Sequence, residues 1–419
     1  MRDVLVIGIG LAGLVAAIRC REAGLGVTLV AQGVGSTHLA PGTIDVLGYD
    51  PELVESPSES LPGFLQRNPE HPYGRIQTTT LARSLEWFGA RFDGYRYTGS
   101  LNENLLLPTA IGAVRPSALV PETMSAGDLR HGGRFLFVGL RQLKDFWPAL
   151  AAQNTSNAKV PSGAAVAARG VLIEPPTGGE ADLTGLAFAR LLDDRAFVRV
   201  VTTQISAHLE DGESVGLPAV LGVRRAHEVW TELQDTLGCP VFEVPSLPPS
   251  VPGIRLYEIL RAQFARAGGR LIIGAEAVGA DTEGDRVTTV HIRAAGRVKA
   301  HPARHFVLAS GGFAAGAIEM DSQWKVRERI FGLPVAGVPE DVERRFSPRY
   351  FDRHPMGRAG IRVDDSLRPL DNQGNRVHSN LSVVGACLAG AEPWREKSGD
   401  GISLASGYAA AGTIIEEAK

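Results

Sequence analysis

The sequence predicts an α/β chain in which a domain built on a parallel sheet is interrupted by a second domain of mixed helices and strands. Three observations support this prediction. Residues 3–35 follow a strand–turn–helix–strand pattern, residues 101–253 consist of short strands, turns and scattered helical segments, and longer elements return after residue 254. The length of 419 residues also fits two domains, at about 150 residues per domain.

The composition excludes several classes of function. Lys plus Arg total 43 and Asp plus Glu 46, which gives a net charge of −3, whereas nucleic-acid-binding proteins usually carry a basic excess. We therefore expect no nucleic-acid partner. No apolar, uncharged stretch reaches the roughly 18 residues of a bilayer-spanning helix, so no direct membrane span is expected.

The three cysteines predict neither a metal site nor a disulfide framework. Cys20, Cys239 and Cys387 lie too far apart for a common metal-ligand spacing, so no metal is expected. Cys387 sits in the apolar run from Val383 to Leu388, where an inert core thiol is expected.

The first element is a strand that runs into a glycine-rich turn. Val4 to Ile7 is apolar and β-branched, as in a strand buried on both faces. The motif Gly8-Ile-Gly-Leu-Ala-Gly13 follows, and Leu11 to Ala23 is rich in Ala and Leu, as in a helix. In a GxGxxG turn the glycines permit the tight turn, the approach of a phosphate and close helix packing. The residues predicted to bind a nucleotide cofactor here are Gly8, Gly10, Leu11, Ala12 and Gly13.

The second strand, Gly26 to Val30, ends without a carboxylate. Dinucleotide sites usually place Asp or Glu about 20 residues after the glycines, where it binds the adenosine ribose. Here the strand end reads Val-Ala-Gln32-Gly, and Gln32 offers only a neutral hydrogen-bonding group. Either a dinucleotide binds without this anchor, or the cofactor is a mononucleotide such as FMN.

Two later glycine segments extend the prediction. Phe306 to Phe313 is a strand running into a double glycine, similar to the Ala-Thr-Gly-Gly segment of flavoproteins, although an ordinary buried strand and turn is the alternative. Leu381 to Ala386 is a short strand, and Ser398 to Gly407 opens the last helix. A helix N-terminus stabilises negative charge, such as that of a reduced flavin; a plain surface helix is the alternative. The residues predicted here to bind the cofactor are Gly311, Gly312, Gly385, Gly401 and Ile402.

A proline-rich segment separates the predicted domains. Pro240 to Pro252 contains five prolines, which are incompatible with a regular element, so we predict a rigid crossing. Leu256 to Ala267 then has helical apolar spacing, and strands follow at 271–273, 287–292 and 305–308. The first domain is therefore predicted to be discontinuous, with residues 1–100 and 254–419, and the second domain to span residues 101–253.

Segments spread over most of the chain carry a family resemblance. They are STHLAPGTID (36–45), FVGLRQLKDF (137–146), PSLPPSVPGIRL (245–256), His354-Pro355 with GIRVD (360–364), and LRPLD (367–371). These segments resemble the B-subunit family of anaerobic glycerol-3-phosphate dehydrogenase, flavoproteins of the wider fumarate reductase and succinate dehydrogenase type. The run PSLPPSVPGIRL is much more specific than GxGxxG.

The resemblance implies a Rossmann-like GxGxxG flavin-binding domain with an inserted α+β cap or substrate domain. It implies FMN as cofactor, with FAD as the alternative, and a cytoplasmic location on the inner face of the cell membrane. The implied partners are a catalytic subunit and an iron–sulfur membrane anchor subunit. The implied enzyme oxidises sn-glycerol 3-phosphate to dihydroxyacetone phosphate by hydride transfer to flavin, with electrons passing to quinone. A non-catalytic flavin relay or assembly subunit and a fumarate reductase-like flavoenzyme remain alternatives.

The implied reaction needs a base for the hydroxyl proton and cations for the phosphate. Arg353-His354-Pro355 is the first candidate, because histidine titrates near neutral pH, and Arg362 follows it closely. An exposed basic loop or a structural histidine is the alternative. Arg255 is predicted to bind phosphate, with an ion pair to Glu258 or a neighbouring carboxylate as the alternative. Thr37-His38, after the second strand, is predicted to contact the flavin ring.

Overall fold

A computed structural model describes residues 2–92 and 94–419. Met1 and Asp93, which the predicted first domain includes, lie outside the described residues. The chain divides into two compact units. The first unit contains the residues up to Ser36, Ser58–Trp87 and Tyr257–Lys419, and the second contains Thr37–Pro57 and Phe88–Leu256.

The regular elements are numbered in chain order. The strands are β1 (Arg2–Ile7), β2 (Val27–Ala31), β3 (Tyr97–Gly99), β4 (Leu105–Pro108), β5 (Val114–Ser117), β6 (Leu119–Pro121), β7 (Gly133–Leu140), β8 (Val166–Ile173), β9 (Glu213–Pro218), β10 (Val241–Val244), β11 (Arg270–Ile273), β12 (Ala275–Glu283), β13 (Arg286–Ala294), β14 (Arg297–Leu308), β15 (Ile318–Met320), β16 (Val326–Glu328) and β17 (Leu381–Val383). The helices are α1 (Leu11–Glu22), α2 (Pro57–Arg67), α3 (Pro72–Ile76), α4 (Thr78–Gly89), α5 (Glu122–Ser125), α6 (Pro148–Ser156), α7 (Gly185–Leu192), α8 (Arg195–Ser206), α9 (Ala226–Leu237), α10 (Val251–Arg266), α11 (Pro393–Glu396) and α12 (Gly399–Glu417).

The first unit is built on a seven-stranded sheet in the order β11-β2-β1-β14-β13-β12, with β17 paired to β14. Strands β11, β2, β1, β14 and β17 are mutually parallel, while β13 is antiparallel to β12 and β14. The apolar run from Val4 to Ile7 is buried in its centre, as its composition predicts. Strands β1 and β2 pair in parallel, as in the predicted parallel sheet.

The second unit has its own sheet, in the order β10-β9-β7-β8, and every pair in it is parallel. Its core includes the fully buried rings of Phe137, Phe188 and Phe242. Two short antiparallel ladders, β3 with β6 and β4 with β5, accompany this sheet. The sequence pattern of short strands and turns did not reveal so regular a parallel sheet, because its strands lie far apart along the chain.

The unit boundaries differ from those predicted from the sequence. Thr37–Pro57, which the prediction assigned to the first domain, belongs to the second unit. There Ile44 forms a bridge with Leu119, and the Asn104 amide donates to the carbonyl oxygens of Leu47 and Val54. These contacts join residues too far apart in sequence for a pattern to show them.

The prediction of an irregular crossing at Pro240–Pro252 is wrong in part. Val241–Val244 forms strand β10 and helix α10 begins at Val251. Pro240 and Pro245 flank the strand, where no ladder hydrogen bond is lost. Pro252 lies in the first helical turn, where a missing N–H is tolerated.

Candidate functional site

The turn after β1 requires glycine at the first and last glycine positions of its motif. Gly8 has φ +111°, and a Cβ atom built on it would lie 2.1 Å from the carbonyl oxygen of Ala309. A Cβ atom on Gly13 would lie 2.0 Å from the carbonyl oxygen of Gly8. Helix α1 therefore packs directly on the turn, in the way that the GxGxxG spacing predicts.

The middle glycine of the turn faces open space. A Cβ atom on Gly10 would meet no described atom within 4 Å. Gly10 is also the N-cap of α1, with extended backbone and no side-chain cap. The first-turn amides, including those of Leu11 and Ala12, have no carbonyl partner within a helix, so they are suited to bind an anion such as a phosphate.

The two later glycine segments lie against this turn. Gly311 has φ +81°, and a Cβ atom on Gly312 would lie 2.7 Å from the carbonyl oxygen of Ala386. A Cβ atom on Gly385, whose φ is +71°, would lie 3.0 Å from the Ala12 Cβ atom. The structure thus brings together the three predicted segments in one glycine cluster, formed by Gly8, Gly10, Gly13, Gly311, Gly312 and Gly385.

The last helix is anchored to the same cluster. The Gly385 N–H donates to Ser406 Oγ at 2.9 Å, and a Cβ atom on Gly407 would lie 2.3 Å from the carbonyl oxygen of Ala12. Gly401 and Ile402 are buried in the first turn of α12. The packing of α12 on the start of α1 therefore fits the predicted placement of these two residues, whose contact with a cofactor stays a prediction.

A buried charged group that no sequence pattern indicated supports the start of α12. Glu396 accepts from Ser398 Oγ at 2.9 Å and from the Glu392 N–H at 3.0 Å, and it lies 3.2 Å from His71 Nε2. His71 Nδ1 accepts from the Tyr73 N–H, so Nε2 carries the proton. Burial alone would raise the pKa of Glu396, but the His71 bond and the other hydrogen bonds lower it.

Cys387 joins two segments of the glycine cluster as a neutral thiol. Its Sγ atom donates to the carbonyl oxygen of Gly311 at 3.1 Å. Burial raises the pKa of Cys387 to about 12, and a thiol with such a pKa is a poor nucleophile near neutral pH. The interpretation of Cys387 as an inert core thiol fits this environment.

The segment after β2 carries three further predicted cofactor residues. Gln32 is exposed, and a Cβ atom on Gly35 would lie 3.1 Å from the Gly10 nitrogen, so this segment returns toward the glycine cluster. Thr37 and His38 belong to the second unit, where the His38 carbonyl oxygen accepts from the Ser250 N–H at 2.8 Å. Contact between these three side chains and a flavin stays a prediction.

The structure places His354 in hydrogen bonds within its own loop, and its role as a catalytic base stays a prediction. Its Nδ1 atom accepts from the Ser347 N–H at 3.1 Å, and its Nε2 atom lies 2.9 Å from the Tyr350 carbonyl oxygen. Because both ring nitrogens bond the backbone, neither has a free lone pair for a substrate proton. Arg353 is exposed and lies 3.6 Å from Glu392, so it belongs to the rim of this loop.

The structure corrects the prediction that Arg255 binds a phosphate. Its guanidinium donates to Glu243 through Nη1 at 2.7 Å and Nη2 at 2.9 Å, and to the Gly222 carbonyl oxygen through Nε at 2.7 Å. Arg255 is only 3% exposed. Burial alone would lower its pKa, but the Glu243 carboxylate and Tyr95 raise it. Arg255 is therefore a permanent buried charge in an ion pair, as the alternative interpretation expected.

Arg362 keeps a position suited to ligand binding. It lines a cavity of about 190 Å³ together with Glu70, Pro72, Arg75, Ile361, Val363, Leu370, Gly374, Leu388 and Ala389. One of its terminal nitrogens donates to the Asp371 carbonyl oxygen at 2.8 Å. Leu388, in the cavity wall, directly follows Cys387, which contacts the glycine cluster. No sequence pattern indicated Arg75, because an arginine in a short helix looks like any surface charge.

Residues 2–92 and 94–419 hold neither a candidate metal centre nor a candidate membrane span. Among them, His, Cys, Asp and Glu form no group of three or more that could hold a metal ion. Of the helices described there, none combines the length and apolar character needed to cross a bilayer.

Comparisons with known proteins agree with this geometry. The sequence profile of the FAD binding domain family, FAD_binding_2, matches residues 3–402. A Halobacterium salinarum protein, named as the probable B subunit of anaerobic glycerol-3-phosphate dehydrogenase, is 36% identical over 430 residues, covering 99% of this chain and 98% of that protein. A Vibrio cholerae protein, named as the B subunit of anaerobic glycerol-3-phosphate dehydrogenase, is 29% identical over 427 residues, covering 99% and 96%. The solved 3-ketosteroid Δ1-dehydrogenase of Sterolibacterium denitrificans shares the fold, with a TM-score of 0.50 at 12% identity over 99% of both chains.

Proposed function

Since the chain belongs to the FAD binding domain family and to the B-subunit family of anaerobic glycerol-3-phosphate dehydrogenase, we propose that it oxidises sn-glycerol 3-phosphate to dihydroxyacetone phosphate within a complex that passes electrons to quinone. The complex would include a catalytic partner subunit and an iron–sulfur membrane anchor subunit. It would work in the cytoplasm, on the inner face of the cell membrane. A bound flavin supplies the two-electron acceptor for this reaction.

The observation that carries the flavin part of the proposal is the open space at Gly10. Glycines close the rest of the turn so tightly that a Cβ atom would clash at Gly8 and Gly13, yet nothing described lies within 4 Å of a Cβ atom on Gly10. A turn built this way leaves room for a phosphate beside the α1 amides. Neutral amide donors bind a phosphate without a cationic side chain.

We infer FMN rather than FAD as the flavin. Strand β2 ends at Ala31 and is followed by Gln32, so the position that usually supplies a carboxylate to the adenosine ribose of FAD carries none. The name of the matched family favours FAD. The two cofactors separate by chromatography after heat denaturation of the purified chain. FMN in the supernatant supports the inference, FAD contradicts this step alone, and a colourless supernatant contradicts the whole proposal.

The cavity at Arg362 supports the substrate part of the proposal. Arg362 and Arg75 line the cavity together with Glu70, and Arg75 also pairs with Asp365 at 3.4 Å in an exposed contact. Paired or bidentate arginines suit a phosphate dianion. The volume of about 190 Å³ suits a small molecule rather than a steroid-sized one. In the proposal these arginines hold and orient the phosphate while the apolar wall excludes water.

Exposed aromatic side chains support the assembly part of the proposal. Tyr350 and Phe351 are each 82% exposed, and Trp394 and Phe346 are about half exposed. The Arg395 guanidinium donates to the Phe351 carbonyl oxygen and lies over the Trp394 ring, so these residues form one patch. Aromatic residues and arginine are enriched in protein interfaces. A partner subunit that covers this patch would remove its apolar surface from water.

Two candidate catalytic residues already have partners within the protein, and this favours a second candidate function. His354 bonds the backbone through both nitrogens and Arg255 is paired with Glu243. A flavin electron-relay subunit, whose partner oxidises the substrate, needs neither residue. This second candidate keeps the flavin and the complex but assigns the oxidation to another chain.

Anaerobic addition of glycerol 3-phosphate to the flavin-loaded chain separates the two candidates. Bleaching of the flavin spectrum without partners supports the oxidation, and an unchanged spectrum supports the relay. For the enzyme, the Arg362→Gln variant should raise the KM for glycerol 3-phosphate at least tenfold, about 1.4 kcal/mol, with little change in kcat. The matched control is Arg376→Gln, since Arg376 lies nearby but pairs with Asp364 outside the cavity. An equal change in both variants would contradict phosphate binding by Arg362.

A further inference from the structure

A second pocket lies at the opposite end of the first unit's sheet from the glycine cluster. The pocket, about 420 Å³ in volume, is lined by Arg2, Leu5, Thr28, Arg270, Ala300, His301 and Pro302. Arg2 and Arg270 begin strands β1 and β11, whereas the glycine turn follows the carboxyl end of β1. This amino-edge pocket, defined by the seven lining residues, is therefore separate from the candidate flavin site.

The titratable residues that line the amino-edge pocket are all basic. Arg2, Arg270 and His301 line it, and Lys299 interacts electrostatically with His301. Within the described part of the chain none of these four side chains forms an ion pair. The nearest carboxylate in sequence, Asp3, is engaged elsewhere: it accepts from the Gly26 N–H at 2.7 Å and lies 3.6 Å from Arg304.

Several other arginines of the first unit are neutralised by carboxylates. Pairs with carboxylates are formed by Arg293 and Arg329 with Glu276, Arg327 with Glu319, Arg368 with Glu417 and Arg376 with Asp364. Around the amino-edge pocket, like charges instead converge without compensation. Burial first, and then Arg270 and Lys299, lower the pKa of His301, so the ring is neutral near pH 7. A bound anion would balance the positive charges of Arg2 and Arg270.

The shape and remaining lining point to a small organic anion rather than a bare ion. A volume of about 420 Å³ lies within the range of ligand pockets, roughly 300–1,000 Å³. Leu5 and Pro302 give the pocket apolar wall, and Thr28 brings a hydroxyl group. Two guanidinium groups suit the oxygens of a phosphate monoester, to which arginine binds in a bidentate manner.

We propose that the amino-edge pocket binds the phosphate group of a small soluble phosphomonoester. Arg2 and Arg270 hold the phosphate oxygens, and the neutral His301 ring donates a further hydrogen bond. The Leu5 and Pro302 side chains contact the organic part. The binding site is independent of the proposed oxidation, because it lies away from the glycine cluster and from the cavity at Arg362.

Inorganic phosphate is the probe for a direct test by isothermal titration calorimetry on the flavin-loaded chain. The double variant Arg2→Gln with Arg270→Gln should bind phosphate at least tenfold more weakly than the unaltered chain. The matched control is Arg83→Gln, which removes one exposed arginine from α4 and should leave the affinity unchanged. The Arg362→Gln variant should also retain this binding, which distinguishes the amino-edge pocket from the proposed substrate cavity.

Three outcomes of the titration with inorganic phosphate would overturn the proposal. They are no saturable binding of phosphate to the unaltered chain, equal affinity in the double variant, and equal loss in Arg83→Gln. Sedimentation with vesicles tests a lipid source of the same chemistry. Binding to phosphatidylglycerol vesicles that the double variant loses, without binding of free phosphate, would assign the cations to a membrane surface and overturn the proposal. The flavin content of each variant reports separately on the proposed function.

Discussion

Two polar regions of this chain, one in each unit, satisfy their hydrogen bonds in opposite ways. In the second unit, the Glu243 carboxylate accepts from Arg255, from Thr123 Oγ1 and from the Leu221 N–H, so the buried network is complete within the protein. In the first unit, the glycine cluster presents the start of α1 with open space at Gly10. One region is closed by its own side chains, and the other is shaped to receive a group from outside.

The comparison distinguishes a charged group that stabilises the fold, such as Arg255, from polar groups that can bind a ligand, such as the first amides of α1. A buried arginine that already has a carboxylate and a carbonyl partner gains little from a phosphate, which would have to displace both. Backbone amides at a helix start have no such competitor and keep their capacity for an anion. Residue type alone therefore does not identify a binding residue; the partners already present decide it.

Of the substitutions considered, removal of the Arg255 side chain should have the largest effect. The quantity that it changes is the stability of the fold. Arg255→Met leaves Glu243 buried without its cation, and breaking a buried pair costs about 3–5 kcal/mol. The free energy of unfolding, measured with denaturant, should fall by this amount. The binding of glycerol 3-phosphate to protein that remains folded should be unchanged.

The control for this variant lies on the same helix. Arg261→Met removes a half-exposed arginine whose partner is Glu258, and such surface pairs contribute at most about 1 kcal/mol. If both variants lose the same small free energy, or if Arg255→Met mainly weakens substrate binding, the region around Arg255 is not the closed network described above.

A methyl group at Gly10 should have the next largest effect. It should weaken the binding of the flavin and leave the stability of the fold unchanged. In Gly10→Ala the new Cβ atom meets nothing within 4 Å, so the thermal unfolding temperature of the flavin-free protein should stay unchanged. The same methyl group takes the space predicted for the phosphate. The dissociation constant for FMN, followed by the change in flavin fluorescence, should rise at least tenfold, about 1.4 kcal/mol.

Gly279→Ala is the matched control, because Gly279 also has open space but lies in β12. It should change neither flavin affinity nor stability. Loss of stability in Gly10→Ala without loss of flavin would show that the open space at Gly10 belongs to the fold alone.

The glycine cluster could be predicted from the sequence because each of its segments is local. A strand, a glycine turn and a helix follow one another within residues 2–22, and their geometry depends on neighbouring residues. The parallel sheet of the first unit follows from the same local pattern, since a short crossover helix places successive strands in parallel. The predicted ranges of the first strand, first helix and second strand agree with β1, α1 and β2 to within two residues. Strand β12 was not predicted, and only the last four residues of β14 were.

The hydrogen-bond partners of the candidate side chains could not be predicted. They lie far away in the sequence, or they are backbone groups that no residue type indicates. Glu243 lies in a strand within a segment whose prolines suggested an irregular crossing. The sequence therefore suggested Glu258 as the partner of Arg255, but Glu258 pairs with Arg261. His354 bonds the backbone of Ser347 and Tyr350, and no residue type signals a backbone partner. Arg75 and Arg362 meet at one cavity although the sequence between them spans most of the chain.

Replacement of His354 should have the smallest effect on catalysis, because its ring already bonds its own loop. In His354→Ala, the rate of flavin reduction by glycerol 3-phosphate in the assembled complex should change less than about twofold, whereas loss of a general base costs roughly 10²–10⁴-fold. The pH profile of the rate should also keep its shape, because the group that titrates would still be present. The variant should instead be cleaved faster by protease near residues 347–354.

Asp352→Asn provides the control, since Asp352 accepts from Ser347 Oγ at 2.8 Å and supports the same loop without a titrating ring. Both variants should show faster cleavage and near-normal rates if the loop is structural. A slow His354→Ala variant whose pH–rate profile also changes shape, beside a normal Asp352→Asn variant, would restore His354 as the base. That result would mean that the His354 loop rearranges in the complex. Like the glycine cluster, and unlike the Glu243 network, the loop would then be available to bind a ligand.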